Sequence, residues 1–375
     1  MDFSQLSIFP ANAAQIHESR RRTFPEWGRG LGLEEHIERE EMLDTKPHAT
    51  DGKMVIWVLA PRSDPTTIEF YSACETYERA AVTSSGECIA YGIASVFTPS
   101  QFRGKGYAKH LMRLLHFVLI RKELLPSFPT EDWGSAPNVP PGLGRGVASA
   151  LYSDVGSTFY AMCAPGLTKD LEKHGWITQG AVGTTWSATS EDVDKGQSIE
   201  WIGSEGMEEV WVQDAQLMKR EIQEVLPVGT TSTEKRTLFS FLPDGGVTRF
   251  QYERNKNFVP SEWTNNRWGV RVSGTEKLAY ATWSLDPGRE GLSTLIITRL
   301  RADAQTFPLI IQAARMVARE LSFQQVEVWN LPSELSVVGE SLGGITRDRE
   351  DHLPALAWFG EGDAKWCWNE KFAWC

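Results

Sequence analysis

Residues 88–118 constrain this chain more than any other stretch. They read Cys-Ile-Ala-Tyr-Gly-Ile-Ala-Ser-Val-Phe-Thr-Pro-Ser-Gln-Phe-Arg-Gly-Lys-Gly-Tyr-Ala-Lys-His-Leu-Met-Arg-Leu-Leu-His-Phe-Val. The first half, β-branched and aromatic up to Thr98-Pro99, predicts a strand. The second predicts a helix, with Leu111, Leu114, Leu115 and Val118 at i, i+3, i+4 and i+7. Between them lies Arg103-Gly104-Lys105-Gly106-Tyr107-Ala108. A glycine-rich turn that opens a helix exposes backbone N–H groups without helical partners, and the peptide dipoles add partial positive charge. Such a turn suits a phosphate or pyrophosphate. It is not a P-loop, because Tyr107 and Ala108 follow Gly106 where Lys-Ser/Thr is needed. It is not a dinucleotide fingerprint either, because Lys109 holds the third glycine position.

A chain of 375 residues is long for a single core and suits two domains. Fifteen Trp and seventeen Phe predict aromatic-rich cores or an aromatic pocket between them. The net charge of −11 argues against nucleic acid as partner, since phosphate contacts need clustered Lys and Arg, and is compatible with a cationic amine. Cys74, Cys88, Cys163, Cys367 and Cys375 are scattered, without zinc spacing, and predict free thiols and no metal. The start, Met-Asp-Phe-Ser-Gln, lacks a basic and apolar signal segment, and the longest mostly apolar run, near 114–120, is too short to span a bilayer. The expectation is a soluble cytoplasmic protein with no membrane partner.

Along the chain, Leu6–Phe9 predicts a first strand, and 11–22 and 31–43 predict two helices. The second helix is rich in acid (Glu34, Glu35, Glu38, Glu40, Glu41), read mainly as a solvated face. Residues 53–60 and 68–82 predict strands that precede the central one, and the helix after the glycine turn is expected to end near 124–125. Residues 126–146 are dense in Pro and Gly, the composition of a lid, a binding loop or a disordered spacer. A strand over 147–152 follows, then a possible helix cap at Ser153-Asp154 and a helix from about Gly156 carrying Phe159-Tyr160. The polar stretch 188–200 is the best linker candidate, dividing the chain into domains 1–190 and 200–375. In the second, a strand over 292–300, a helix over 305–321 and a strand over 325–329 repeat the strand–helix–strand order. The corresponding turn, Arg301 to Pro308, has no glycine and is not expected to bind a phosphate. The end, 353–375, is too aromatic to be a free tail.

The central stretch resembles the acyl-CoA loop of the GNAT superfamily of N-acetyltransferases, Arg/Gln-x-x-Gly-x-Gly/Ala, here Arg103-x-x-Gly106-x-Ala108. Further stretches resemble the fungal lysine acetyltransferase family: 72–77, 91–99, 102–108, 151–156 with Phe159-Tyr160, and 369–375. The resemblance implies an α+β (α/β) fold: a GNAT domain with a mixed central sheet flanked by helices, and a second, degenerate GNAT-like domain that lacks the CoA loop and helps wall the substrate pocket. It implies acetyl-CoA as co-substrate, no metal, and acetyl transfer to a small amine in a ternary complex, with the side-chain amine of free L-lysine the first candidate. Another amine (a polyamine, a toxin amine, a protein lysine) or a non-catalytic acyl-CoA-binding module are the alternatives.

Carried over residue by residue, the resemblance places the carbonyl-polarising backbone N–H at Val96 and pantetheine pairing at Thr98. The pyrophosphate amides fall at Arg103, Gly104, Lys105, Gly106, Tyr107 and Ala108, and the acid that protonates the departing thiolate at Tyr160. A phenol with pKa ~10 can protonate a thiolate of pKa ~8.5. Where some GNATs carry a base, four residues before Val96, this chain has Gly92. Glu75, Asp154, His174 or a chain of waters remain as bases.

Overall fold

The computed structural model describes residues 2–28, 30–167, 175–188, 199–224, 236–256, 267–288 and 292–375. In chain order its elements begin with β1 (Leu6–Pro10), α1 (Ala13–Trp27), α2 (Leu33–Asp44), β2 (Met54–Pro61), β3 (Ser72–Thr83) and β4 (Gly86–Phe97). Next come α3 (Tyr107–Leu119), the single turn α4 (Thr130–Trp133), β5 (Ala148–Ser153), the single turn α5 (Thr158–Ala161), β6 (Ile177–Thr178) and β7 (Val182–Ser187). The chain continues through β8 (Ile199–Ile202), α6 (Met207–Glu224), β9 (Arg236–Phe241), α7 (Arg249–Asn255), β10 (Gly269–Val272) and β11 (Tyr280–Asp286). It closes with β12 (Thr294–Arg301), α8 (Phe307–Glu320), β13 (Gln325–Trp329), α9 (Ser336–Ser341), β14 (Ile345–Asp348), β15 (Leu353–Trp358) and β16 (Asp363–Trp366).

These strands form two mixed sheets. The first runs β1-β2-β3-β4-β5-β15-β6, with β9 joined to the far end of β3 and β16 paired to β9. The second runs β14-β7-β13-β12-β11-β10-β8. Each has a parallel step crossed by a helix, β4 to β5 through α3 and β12 to β13 through α8, and the β9–β16 pair of the first sheet is parallel as well. The two sheets exchange strands. β7 leaves the first half to lie antiparallel between β13 and β14, and β15 returns from the second half to lie between β5 and β6. The expected division at 190–200 is therefore not a division between sheets. Residues 189–198 of the expected linker lie outside the described residues.

Helix α3 is held by its apolar stripe. Leu111, Leu114, Leu115 and Val118 are fully buried against Trp57, Leu59, Tyr91 and Leu151 of the first sheet. It ends at Leu119 rather than near 124–125, because Ile120 turns extended and a short 3-10 turn follows at Lys122–Leu124. The Pro/Gly-rich stretch 126–146 is a largely exposed segment anchored at a few points. Trp133 is buried against α3, edge-on to His110 and Phe117, and Arg62 donates to the Trp133 and Ser135 carbonyls. Helix α1 runs five residues past its expected end at 22, with Pro25 inside its last turn.

On its other face the first sheet meets α6, whose Ala215, Met218 and Ile222 pack with Ala81, Ala90, Ala148, Phe239 and Phe372. The second sheet packs on α8, and its core holds buried Trp186 and Trp283 from the strands, Trp268 just before β10 and Trp211 from α6. A buried charge cluster ties these layers. Asp214 of α6 accepts from Arg299 and Arg301 of β12, and Arg299 also pairs with Glu370, whose second oxygen accepts the Leu300 N–H at 2.7 Å. Two arginines and two carboxylates satisfy one another there, which such depth requires.

Two outcomes follow. Residues 1–190 expressed alone should show no cooperative thermal transition, since β5 then loses its antiparallel partner β15; a sharp near-UV melt of that fragment would contradict the exchange. The intact protein should lose stability on the acid side. Burial holds His48 at about 3 and His110 and His116 at about 4. Their folded values lie below the unfolded value of about 6.5, so the unfolded chain binds more protons as pH falls through that range. Each histidine fixed at about 4 costs about 3 kcal/mol by pH 4. Urea midpoints should fall steadily from pH 6.5 to 4, and His116→Gln should flatten that slope.

Candidate active site

The site begins where a ladder stops. β4 pairs with β5 only over Ala90–Ile93, opposite Ala148–Leu151. Beyond that point β5 stays in register with β15 as far as Ser153. Residues 94–97 of β4 therefore have no strand on their β5 side among the described residues. The parting coincides with a bulge: the β3–β4 register shifts between Ala73 and Glu75, and Ser95 takes the left-handed conformation at φ 54°. Val96 sits in this bulge, at the mouth of the gap between the two strands.

Past the gap the chain makes the glycine turn. Gly104 and Gly106 have φ of 74° and 83°, a region where a Cβ is costly. Gly106 caps α3 without any side-chain hydrogen bond, so the first N–H groups of the helix have no cap from the chain. Residues 103–106 are exposed, and a Cβ on Gly104 would meet nothing within 4 Å, leaving room for a ligand. Arg103 donates to the Thr98 carbonyl at 2.9 Å, and Lys105 to the Gln101 carbonyl at 3.0 Å, so both side chains brace the turn. The Thr98 hydroxyl donates to Ser72 Oγ at 2.9 Å. Tyr107 is buried and stacks on Tyr71 at 4.4 Å, and Ala108 follows it into the helix; both contribute backbone to the turn. These residues fit the diphosphate of coenzyme A: an uncapped helix N-terminus, two left-handed glycines and open space.

The equivalent turn between β12 and α8 is closed. Asp303 accepts from the N–H groups of Gln305 and Thr306 at 3.0 and 2.8 Å and from the Thr306 hydroxyl at 2.8 Å. Those hydrogen bonds hold its carboxyl below the ordinary value. A built-in anion already occupies the donors that a phosphate would need.

Two proton-active candidates lie on opposite faces of the first sheet. Tyr160, on α5, packs with the α3-side cluster and stands edge-on to Trp176 at 6.5 Å. Burial, with the Cys163 and Cys74 thiols and Asp154 behind it, raises its pKa, so it keeps its proton at neutral pH. Glu75 points to the other face, since Cys74 before it belongs to the α3 side. Its Oε2 accepts from the Tyr77 hydroxyl at 2.9 Å and from Ser95 Oγ, inside the bulge, at 3.0 Å. Burial first, then the charge of Glu40 on α2, raises its carboxyl above the ordinary value. Of the acidic run on α2, Glu34, Glu35, Glu38 and Glu41 are exposed while Glu40 is half-buried.

Asp154 is occupied otherwise. It accepts the His352 N–H at 2.8 Å and lies 2.9 Å from His352 Nδ1. The expected helix cap is a correction: α5 starts at Thr158, four residues later, and Asp154 instead ties β5 to the approach of β15. His174 lies outside the described residues.

Position 92 has a physical reason for being glycine. A Cβ there would stand 3.0 Å from Arg79 Cζ and 3.0 Å from Cys375 Sγ. Arg79 is buried and donates to the Ala373 carbonyl at 2.6 Å. Residues 366–375 thus fold back over the central strand and fill the place where an acid on β4 would stand. Sequence reasoning missed Arg79 and Cys375 here. The signal available was the density of aromatic residues near the end of the chain.

A family model described as LYC1 GNAT-like C-terminal domain matches residues 183–375, slightly more than half of the chain. The lysine acetyltransferase of Yarrowia lipolytica (strain CLIB 122 / E 150) is 30% identical over 168 residues, 44% of this chain and 38% of that protein. The match thus spans well under half the length of that relative. Among solved structures, a conserved protein of unknown function from Enterococcus faecalis V583, a probable N-acyltransferase, aligns with a TM-score of 0.53 at 11% identity over 94% of this chain and 72% of that one. A GCN5-related N-acetyltransferase from Anabaena variabilis ATCC 29413 aligns with a TM-score of 0.50 at 12% identity, over 94% and 72%. At such identities the likeness concerns the fold, which is the GNAT fold.

The turn yields a direct expectation. Calorimetry should find one coenzyme A site per chain. Gly106→Val, strained at φ 83° and with its Cβ 3.2 Å from the Phe3 ring, should weaken that binding about tenfold or more. Two sites, or unchanged affinity, would contradict the assignment.

Proposed function

Because this chain belongs to the LYC1-like GNAT family, we propose that it is an acetyl-CoA-dependent N-acetyltransferase acting on a small amine, with the side-chain amine of free L-lysine as first candidate. One observation carries this reading. The parted ends of β4 and β5 lie beside an uncapped glycine turn, with a protonated phenol on one face and a half-buried carboxylate on the other.

When bound, acetyl-CoA supplies a thioester carbonyl that a neutral amine can attack. The turn from Arg103 to Ala108 holds the diphosphate. The strand edge beyond Ile93 lies along the pantetheine arm, with the Val96 N–H directed at the carbonyl oxygen and Thr98 at the mouth. A lysine amine with pKa ~10.4 is about one part in a thousand neutral near pH 7.4, so removing its proton matters. Glu75 takes that proton; Ser95 fixes its carboxylate beside the bulge that carries Val96, and its raised pKa makes it a better acceptor than an exposed Glu. As the carbon–sulfur bond breaks, Tyr160 gives its proton to the sulfur. Asp154, held by His352, orients the end of β5. The missing acid at Gly92 would favour a binding-only module, but Arg79 and Cys375 account for it sterically.

Mixing the protein with acetyl-CoA and L-lysine should release free thiol. Release with other amines alone would change the substrate, and none with any amine would sink the reading. Tyr160→Phe should lower kcat about 10²-fold or more while coenzyme A affinity survives. The acid limb of kcat should lie above the ordinary Glu value of about 4.3, because the base must be deprotonated and burial raises Glu75. Glu75→Gln should remove that limb along with most of the rate.

A further inference from the structure

Glu75 is held by one of its two oxygens. Its Oε2 accepts from the Tyr77 hydroxyl at 2.9 Å and from Ser95 Oγ at 3.0 Å. Two donors use both lone pairs of that oxygen. Oε1 accepts from no described residue and is not enclosed, so it keeps contact with solvent. The side chain as a whole is half-buried. A carboxylate held in this way has one fixed oxygen and one free one.

The two donors come from different strands. Tyr77 stands two residues further along β3 and so shares a face of the sheet with Glu75. It is 6% exposed, and its ring lies beside those of His48 and Phe250 at 5.8 and 6.4 Å. A buried phenol needs a hydrogen-bond partner, and Glu75 supplies it. Ser95 belongs to β4. Between the pairs Ala73–Phe97 and Glu75–Ala94, β3 has one residue and β4 has two, Ser95 and Val96. The bulge that presents Val96 therefore also turns the Ser95 hydroxyl onto the carboxylate. The other ionisable groups whose charge reaches Glu75 are Glu40 of α2, Arg20 of α1 and the Cys74 and Cys375 thiols. Glu40 acts most strongly among them, and Arg39, at 2.7 Å, helps to keep it ionised.

We propose that Tyr77 is a positioning residue for the base: with Ser95 it pins Glu75 by Oε2, so that Oε1 is the atom that takes the proton of the substrate ammonium. The proposal rests on the acetyltransferase reading above and deepens it. The N–H bond breaks, its electron pair stays on nitrogen as the nucleophile, and the proton forms an O–H bond at Oε1. Oε2 becomes the carbonyl oxygen of the neutral acid and still accepts from both hydroxyls, so the transfer breaks neither hydrogen bond. Protonation at Oε2 would displace a donor and leave a hydroxyl without its acceptor. Both hydroxyls favour the charged carboxylate, whereas the charge of Glu40 disfavours it, so the two influences act on the base in opposite senses.

The test reads the titration midpoint of Glu75 in two ways, both on the full chain. One is the acid limb of kcat with acetyl-CoA and L-lysine. The other is NMR titration of isotope-labelled glutamate carboxyls with coenzyme A bound, in which Glu75→Gln identifies the resonance. Tyr77→Phe and Ser95→Ala should each raise the midpoint by about one pH unit, because each removes a donor to the charged form. Glu40→Gln should lower it, because a negative charge is lost. Coenzyme A affinity should survive in Tyr77→Phe. A merely structural Tyr77 would lower kcat at every pH and leave the midpoint in place, which would overturn the proposal. Phe fills nearly the same space as Tyr, and Ser95→Ala carries the test if the Tyr77 variant does not fold. Thiol release with unmoved midpoints sinks the positioning role alone. If no amine releases thiol, the transferase reading falls, and the resonance still decides whether the two hydroxyls hold the carboxylate.

Discussion

Everything in the first sheet depends on the ladder between β4 and β5 ending after four residue pairs. Two parallel strands normally keep their spacing because each bond holds the next. Here the bulge at Ser95 turns β4 away, and β15 keeps β5 in a second ladder, so the strands part without leaving β5 unsupported. The gap gives a backbone edge for an extended ligand. The helix that must cross from one strand to the other begins at its mouth, bringing unpaired N–H groups to the same place. A strand edge and a helix terminus, both short of partners, converge on one cleft.

The exchanged strands explain why this arrangement needs both halves. β15 arrives about 200 residues after β5, and β7 goes the opposite way into the second sheet. The buried set of Asp214, Arg299, Arg301 and Glu370 then anchors the following segment to the second sheet, from which Ala373 reaches Arg79 and Cys375 reaches Gly92. Two sheets of the same pattern have thus diverged in use. In one, the helix turn is open and lined with glycine. In the other, Asp303 supplies the negative charge internally, and the sheet contributes walls.

Much of the site was legible in the sequence, for particular reasons. The turn could be read because Gly104 and Gly106 mark left-handed backbone and the leucine spacing marks a helix directly after it, both local properties. The strand–helix–strand echo at β12, α8 and β13 could be read in the same way. The end of α3 was misjudged because Arg121–Leu125 continues the helical pattern while the backbone has already turned extended at Ile120. Asp154 looked like a cap because Ser-Asp before a helix usually is one; its partner, His352, is remote in sequence and cannot be inferred from spacing. Glu75 could be named as a candidate, but not its anchoring by Ser95, which requires the bulge.

By itself, the sequence determined the local geometry of the glycine turn, since glycine torsions, helix periodicity and the dipole of the first turn are settled within a dozen residues. The tertiary structure alone decided which strand completes each sheet and what fills the space over Gly92. Those are contacts between residues far apart in the chain. They are chosen by burial and by the pairing of buried polar groups, which no local pattern specifies.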